Sequence, residues 1–301
     1  MRPAGVDRGA VTRYPTYPEP VDSLISYDGT RLAYHEKGDG PPLVCVPGGP
    51  ARASAYLGDL DGLSRYRRLI LLDNRGTGDS EVPADPATYR CDRLVDDSEA
   101  LRAHLGLETF DLLGHSASGS VCLLYAAKYP QRLRRLVLVT PGVQTTGLTL
   151  DEEAFMAAVR SRQGEPWYDE AYAAFERWDS GEETPENRLA AAPFFYGSWT
   201  PEAAAHAAAD AEQRSPEAAA GFRAEGWYGD PGATRASLAE LPAPALVVGG
   251  ALDPAPSPGM LDDLTQLFRD GRKVILPDCG HFPWVDDADA FVATVNRFLA
   301  E

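Results

Sequence analysis

Three residues with the chemistry of a nucleophile, an acid and a base follow three separate apolar runs of the sequence. Ser116 lies in the stretch GHSASG, between an apolar run and a helical pattern, which is typical of a G-x-S-x-G turn that exposes a serine. Asp253 follows LVVGGAL, and His281 follows VILPDCG. A histidine can accept the proton of a serine hydroxyl, and a buried carboxylate can hold the imidazole in the required tautomer. The three residues therefore predict acyl transfer through an activated serine.

Taken singly, each of these residues also fits a structural role. A serine between glycines can simply allow a strand and a helix to meet closely, and Asp253 before Pro254 can start a turn or cap a helix. Asp278 is a second acid near His281, but it lies on the same strand exit as the histidine, which ranks it below Asp253. The order serine, acid, histidine, each just past its own apolar run, favours the catalytic interpretation.

An anionic intermediate formed on a serine needs hydrogen-bond donors that stabilise its charge. The N–H of Ala117, at the start of the helical pattern that follows Ser116, is one candidate. A second donor is expected from the glycine-rich loop PGGP, and we assign the N–H of Gly49 to it. Gly49 and Ala117 therefore form the predicted oxyanion hole.

The elements that must position these residues can be predicted from the pattern of apolar runs. A hairpin around Asp28-Gly29 comes first, and continuous apolar runs then alternate with helical patterns. These runs fall at residues 42–49, 68–78, 110–116, 135–142, 244–253 and 273–281. Such runs predict an α/β fold with a mostly parallel central sheet and helices on both faces. Ligands of such sheets bind at the carboxyl ends of the strands, where all three polar residues are expected.

One long segment interrupts this alternation. Residues 143–238 contain no convincing strand run, are rich in alanine, and hold four of the five tryptophans. We expect a helical cap inserted after the sixth strand, with residues 1–142 and 239–301 forming the core. Its aromatic residues would make an apolar roof over the substrate pocket. The predicted pocket residues are Trp167, Phe194, Phe195, Tyr196, Trp199 and Trp227.

Composition excludes several classes of partner. The chain has 28 Lys and Arg against 45 Asp and Glu, a formal net charge of −17, which disfavours nucleic acids and anionic membrane surfaces. The proline-rich first twenty residues predict an irregular arm and lack the apolar segment of a signal peptide. The four cysteines form no C-x-x-C pair, and no H-E-x-x-H motif occurs. We expect a cytoplasmic, disulfide-free protein without metal or cofactor, acting on a small molecule or a short peptide.

Five motifs carry a resemblance to a known family. The stretches PGGPA, DNRGTGDS, GHSASG, GALD and CGHF occur in this order along the chain. The sequence resembles the α/β-hydrolase superfamily over nearly its whole length, and within it the proline iminopeptidase family. The resemblance implies Ser116, Asp253 and His281 as a catalytic triad, with Gly49 and Ala117 as oxyanion donors.

The sequence also departs from that family. Pro47 stands where the family usually has histidine, Ala51 where it has glycine, and Ser118 replaces a glycine of the elbow. The family uses cap glutamates to hold the amino group of its substrate, and the stretch ENRLAAAPFFYGSW has alanines at 190–192 instead. We therefore expect a pocket without that carboxylate. The predicted substrate is an ester, thioester, lactone or amide with a mainly apolar acyl group.

Three alternatives remain open. The first is a prolyl aminopeptidase in which another cap glutamate, such as Glu212 or Glu225, binds the amine. The second is an acyl-transfer or cyclising tailoring enzyme of small-molecule biosynthesis, in which the acceptor is not water. The third is a non-catalytic ligand-binding member of the same fold, since a fold does not fix a function.

Overall fold

The computed structural model describes residues 21–301, so the arm predicted for the first twenty residues lies outside the described residues. One eight-stranded sheet forms the centre of the molecule. Its strands are β1 (Asp22–Ile25), β2 (Arg31–Lys37), β3 (Pro42–Val46), β4 (Arg68–Leu72), β5 (Phe110–His115), β6 (Leu133–Val139), β7 (Ala245–Gly250) and β8 (Gly271–Leu276). Their order across the sheet is β1-β2-β4-β3-β5-β6-β7-β8.

The sheet is antiparallel at one edge and parallel elsewhere. β1 and β2 form the hairpin predicted around Asp28-Gly29, and β2 pairs antiparallel with β4. All pairs from β4 through β3, β5, β6 and β7 to β8 are parallel. This confirms the predicted mostly parallel sheet. The carboxyl ends of β3, β5, β7 and β8 therefore lie together on one side of the molecule, which we call the carboxyl edge of the sheet, or the sheet edge.

Helices cover both faces of the sheet. They are α1 (Cys91–His104), α2 (Ser118–Lys128), α3 (Glu152–Ser161), α4 (Tyr168–Asp179), α5 (Pro185–Ala191), α6 (Pro201–Ala208), α7 (Asp210–Gln213), α8 (Pro216–Phe222), α9 (Pro231–Ala239), α10 (Pro258–Thr265), α11 (Pro283–Asp286) and α12 (Ala288–Leu299). Alternate residues of each central strand point to opposite faces. On β5, Leu112 therefore packs with the core of α1 and α2, whereas Leu113 packs with the core of α12.

The chain between β6 and β7 forms helices and loops, together with one isolated bridge between Arg52 and Arg214. Part of this segment has its own apolar core, in which Val159 and Tyr168 pack with Phe194. Its last helix, α9, instead packs on the sheet, because Leu238 belongs to the same core as α1 and α2. The predicted cap boundaries at 143 and 238 stay a prediction.

All four cysteines are buried free thiols, as expected for Cys45 and Cys122 from their apolar surroundings. Burial raises the pKa of both of these thiols, which keeps them protonated and unreactive at neutral pH. Within residues 21–301, we find no helix with the length and apolar character required to cross a bilayer.

Candidate active site

Ser116 lies at the tip of a sharp turn between β5 and α2. Its backbone has a φ of +52°, a conformation that non-glycine residues rarely adopt. The flanking glycines are required by close contacts rather than by φ. A Cβ atom on Gly114 would lie 2.5 Å from the Sγ atom of Cys122, and one on Gly119 would lie 2.4 Å from the Cβ of Pro141. The pattern G-x-S-x-G thus reflects a turn that is packed tightly on both sides.

The predicted acid and base meet Ser116 at the carboxyl edge of the sheet. The Nε2 atom of His281 lies 2.8 Å from the Oγ atom of Ser116, and its Nδ1 atom lies 2.8 Å from Oδ2 of Asp253. Asp253 is buried, and its Oδ1 atom accepts the N–H of Ala255. Asp278 is exposed and makes no hydrogen bond with His281. Of the two acids considered, Asp253 is therefore the one that contacts the imidazole.

The two predicted oxyanion donors belong to loops that touch each other. A Cβ atom on Gly48 would lie 2.8 Å from the Cβ of Ser116 and 3.3 Å from the nitrogen of Ala117. Neither the N–H of Gly49 nor that of Ala117 has a hydrogen-bond partner among residues 21–301. Both N–H groups can therefore donate to a substrate oxygen, and their role as oxyanion donors stays a prediction.

The direction of the Gly49 N–H follows from its own peptide group. The carbonyl oxygen of Gly48 accepts the N–H of Arg52 at 3.1 Å. The C=O and N–H of a trans peptide point in opposite directions, so the Gly49 N–H points away from Arg52. Gly49 has a φ of +123°, which only glycine adopts readily.

A buried chain of hydrogen bonds joins this loop to the loop of His281. The N–H of Gly48 donates to the Oη atom of Tyr56 at 2.7 Å, and that hydroxyl lies 2.7 Å from Nδ1 of His115. The Nε2 atom of His115 lies 3.0 Å from the carbonyl oxygen of His281. Burial holds the pKa of His115 well below its usual value, so the ring is neutral. A carbonyl oxygen can only accept a hydrogen bond, so Nε2 of His115 carries the proton. Its Nδ1 atom therefore accepts a hydrogen bond from the Tyr56 hydroxyl.

A cavity of about 730 Å³ opens over Ser116 and His281. Two of the six predicted pocket residues, Phe195 and Tyr196, line it. The ring of Phe195 lies against the imidazole of His281, with centroids 6.0 Å apart. The backbone carbonyl oxygen of Phe195 also accepts a hydrogen bond from the backbone N–H of His281. Phe282 and Trp178 also line the cavity. Phe282 directly follows His281 in the sequence, and this position places its ring beside the imidazole.

The other four predicted pocket residues are not among those that line this cavity, and their contact with a substrate stays a prediction. Trp167 and Phe194 pack in the separate core of α3 and α4. Trp199 packs against Tyr196, and Trp227 packs against Phe222. An aromatic residue in a helical insertion can face a neighbouring helix as readily as a cavity, and its spacing along the chain does not distinguish the two.

The expectation that the pocket lacks the amine-binding glutamate of the family stays a prediction, although the cavity does contain carboxylates. Three acids line it, namely Glu183, Glu186 and Asp210, together with four arginines, Arg52, Arg188, Arg214 and Arg223. Glu212 and Glu225 are not among the lining residues. Glu186 opens the stretch ENRLAAAPFFYGSW, one helical turn before the alanines at 190–192. This glutamate is exposed and has no ion-pair partner within the described part of the chain.

Asp210 differs from the two glutamates because arginines surround it. Arg52, Arg188 and Arg214 each place a nitrogen within 4 Å of its carboxylate oxygens, at 3.6, 3.4 and 2.7 Å. Burial alone would raise the pKa of Asp210, but the hydrogen bonds from Arg214 and the three positive charges hold it below its usual value. Asp210 is therefore ionised and already compensated.

The fold and these residues define the class of the protein. Residues 41–288 match the family model of the alpha/beta hydrolase fold, and the chain belongs to this family. This confirms the fold class that the sequence predicted.

Individual relatives add detail. The chain is 35% identical to a proline iminopeptidase of Lactobacillus helveticus over 127 residues, which are 40% of this chain and 43% of that protein. The chain therefore matches less than half the length of this relative. It is 27% identical to a 2-hydroxymuconate semialdehyde hydrolase of Pseudomonas sp. strain CF600 over 289 residues, 91% of this chain and 92% of that one. An esterase structure from Rhodococcus sp. ECU1013 shares the fold, with a TM-score of 0.69, 24% identity and coverage of 93% and 98%. The predicted resemblance to proline iminopeptidases is confirmed.

Proposed function

We propose that this protein is a serine hydrolase that forms an acyl-enzyme at Ser116. The observation that carries the proposal is the hydrogen-bonded series from the Ser116 hydroxyl through His281 to the buried Asp253. A serine hydroxyl is a weak nucleophile until a neighbouring base accepts its proton, and Nε2 of His281 is at the distance that this transfer needs.

The reaction can be written step by step. The Oγ atom of Ser116 attacks the substrate carbonyl carbon while its proton moves to Nε2 of His281. The carbonyl oxygen becomes an anion, and the N–H groups of Gly49 and Ala117 stabilise it. His281 then gives the proton to the leaving group, whose bond to the carbon breaks and leaves the acyl-enzyme. A water molecule, activated by the same imidazole, releases the acid and restores Ser116.

Asp253 acts on the histidine rather than on the substrate. Its carboxylate accepts the Nδ1 proton of His281, which leaves Nε2 free to accept the serine proton, and it stabilises the imidazolium that forms. The whole route uses side chains and backbone groups of this chain, without a metal or an organic cofactor.

For the substrate, we propose an ester, thioester, lactone or amide with a mainly apolar acyl group. The support is the aromatic wall beside the imidazole, formed by Phe195, Tyr196 and Phe282. When an apolar acyl group covers these rings, binding becomes more favourable by about 25 cal/mol for each Å² of apolar surface that is removed from water. The esterase from Rhodococcus carries the same fold, and the similar protein from Pseudomonas is named a 2-hydroxymuconate semialdehyde hydrolase.

Prolyl aminopeptidase activity is the second candidate, and one observation favours it. Glu186 lines the cavity without an ion-pair partner among the described residues, so its carboxylate is available for a substrate ammonium. The relative from Lactobacillus helveticus is named a proline iminopeptidase. An exposed carboxylate offsets less of the desolvation cost of an ammonium than a buried one, which is why we rank this function second.

A covalent probe and a pair of substrates test the proposal. A fluorophosphonate should label the wild-type protein and leave Ser116→Ala unlabelled, and the same substitution should abolish hydrolysis of p-nitrophenyl butyrate. Equal labelling of both proteins would contradict a nucleophilic Ser116. The substrate comparison is kcat/KM for p-nitrophenyl butyrate against proline p-nitroanilide. A preference for the prolyl substrate would replace our first candidate with the second, and labelling without turnover would point to a ligand-binding protein or an acyl acceptor other than water.

A further inference from the structure

The loop that carries Gly49 is bound from outside by the segment between α7 and α8. The N–H of Ala53 donates to the carbonyl of Gln213 at 2.8 Å, and the N–H of Ser215 donates to the carbonyl of Ala51 at 3.0 Å. These two bonds form a short antiparallel pairing centred on Arg214. The loop after β3 is therefore attached, by backbone as well as by side-chain hydrogen bonds, to the chain between β6 and β7, which we call the helical segment.

The side chain of Arg214 reaches across this pairing to the carbonyl of Gly49. Its Nη1 atom donates to the carbonyl oxygens of Gly49 and Pro50 at 2.7 and 3.0 Å. Its Nε and Nη2 atoms donate to the two carboxylate oxygens of Asp210 at 2.9 and 2.7 Å. A guanidinium is planar and rigid, so a carboxylate that binds one edge fixes the direction of the remaining donors. Asp210 thus orients Arg214 toward the loop.

The loop needs such support because it combines a strained residue, Ala51, with a flexible glycine, Gly49. Gly49 has a φ of +123°, and Ala51 has a φ of +59°, where a side chain adds a steric cost. Glycine also loses more backbone freedom on ordering than other residues do. Without bonds from outside, Gly49 would sample other conformations in which its N–H no longer points beside Ser116.

We propose that Arg214, oriented by Asp210, is a positioning residue for the oxyanion hole. It holds the carbonyls of Gly49 and Pro50, which belong to the peptide groups that follow Gly49. This restricts rotation about the backbone bonds of Gly49 and thereby the direction of its N–H toward the developing oxyanion. This inference rests on the proposed serine hydrolase chemistry. It assigns to the helical segment a part in the chemical step, in addition to any part in substrate selection.

Such a role has a kinetic signature. The oxyanion exists only in the tetrahedral intermediate and the transition states beside it, so poor alignment of Gly49 lowers kcat and leaves KM nearly unchanged. Complete loss of one oxyanion donor costs roughly 10²–10³-fold in kcat. Arg214→Gln leaves the donor present but poorly held, so we expect kcat to fall by about 10–100-fold.

The chain offers a matched control on α1. Arg102 likewise binds a carboxylate with Nε and Nη2, at 2.9 and 2.8 Å from Glu99, and donates its Nη1 to the carbonyl of Leu107. It lies outside the residues that line the cavity. Arg102→Gln therefore removes the same kind of interaction at a distance from Ser116, and it should lower the melting temperature without lowering kcat.

The experiment compares wild type, Arg214→Gln, Arg214→Lys, Asp210→Asn and Arg102→Gln. For each we would measure kcat and KM for p-nitrophenyl butyrate, the inhibition constant of an alkyl trifluoromethyl ketone, and Tm. The ketone forms a tetrahedral adduct with an oxyanion, so its inhibition constant should rise in parallel with the fall in kcat/KM for the Arg214 variants. Arg214→Lys keeps the charge but has a single nitrogen, which cannot bind Asp210 and the loop in the same fixed geometry, so its loss of kcat should be intermediate. Asp210→Asn should lower kcat in the same way, by a smaller factor.

Three results would overturn the inference. One is a loss of kcat in Arg214→Gln no larger than in Arg102→Gln. Another is a change confined to KM, and the third is a lower kcat with an unaltered inhibition constant for the ketone. If Arg214→Gln does not fold, Arg214→Lys and Asp210→Asn decide the same question. A failure of the proposed function is distinguishable, because wild type would then show no labelling at Ser116, and both conclusions would be overturned together.

Discussion

Two regions of the molecule meet at the cavity, and they fix their functional groups by different means. At the carboxyl edge of the sheet, backbone geometry sets the positions. Ser116 and Gly49 both have positive φ, and Gly48 tolerates no side chain. In the helical segment between β6 and β7, side-chain packing and ion pairs fix the positions of the side chains. Phe194 is held by the separate apolar core, and Asp210 is held by the surrounding arginines.

This difference separates two kinds of consequence. A change at the sheet edge moves atoms that react, so it should act on kcat. A change in the helical segment moves atoms that contact the substrate, so it should act on KM or on the choice of substrate. Arg214 is an exception, because it belongs to the helical segment but binds the carbonyl of Gly49 at the sheet edge. Its substitution should therefore act on kcat.

The largest expected effect lies at the sheet edge. Asp253→Asn should lower kcat on the order of 10⁴-fold, because the imidazole loses the partner that fixes its tautomer. Asp278→Asn is the control, since Asp278 is exposed and does not contact His281. Kinetics with p-nitrophenyl butyrate measure both. A crippled Asp278→Asn beside a nearly normal Asp253→Asn would show that the wrong acid had been assigned.

Close approach of the two loops gives the next largest effect. In Gly48→Ala the new Cβ would lie 2.6 Å from the His115 carbonyl oxygen and 2.8 Å from the Ser116 Cβ, so the loop must shift. We expect kcat to fall roughly 10²-fold, the usual cost of one misplaced oxyanion donor. Gly259→Ala is the matched control, because a Cβ there meets no atom within 4 Å. Equal kcat in both variants would show that the loop adapts freely.

Adjacent phenylalanines test the helical segment itself. Phe195 lines the cavity, whereas Phe194 is 2% exposed and packs with Tyr168. Phe194→Ala should destabilise the fold by about 3–5 kcal/mol, the usual cost of deleting a buried aromatic ring. Phe195→Ala should cost less stability and lower kcat/KM for p-nitrophenyl butyrate about tenfold, mainly through KM, which corresponds to roughly 1.4 kcal/mol. Chemical unfolding and steady-state kinetics on both variants measure the two effects. The reverse assignment would show that Phe194 is the substrate contact.

Much of the sheet edge could be predicted from the sequence because its constraints are local. A serine between glycines, just past an apolar run, marks a turn whatever else the chain does. The hydrogen bond from Tyr56 to His115 could not be predicted in this way, since it joins residues 59 positions apart. Arg214 and Gly49 are 165 positions apart, and no local pattern of either residue indicates the contact.

Local sequence patterns determine less about the helical segment, for a related reason. Helical spacing shows which residues share a face, but several short helices pack on one another here, so a face can meet another helix or the cavity. Trp167 meets a helix core, whereas Trp178 meets the cavity. The same ambiguity concealed Glu186, which lies one turn before the alanines at 190–192.

The smallest expected effect decides between the two candidate substrates. Glu186→Gln removes the charge of a cavity carboxylate that pairs with no residue of the described chain and leaves its shape nearly unchanged. A neutral ester has no group that needs this charge, so kcat/KM for p-nitrophenyl butyrate should change less than about twofold, the scale of an exposed substitution. Glu170→Gln is the control for a change of surface charge, because Glu170 is exposed, lies outside the cavity lining and likewise forms no ion pair with the described residues. In a prolyl aminopeptidase, Glu186 would instead bind the substrate ammonium, and kcat/KM for proline p-nitroanilide would fall tenfold or more in Glu186→Gln alone. That result would assign substrate choice to a charge in the helical segment rather than to its aromatic wall.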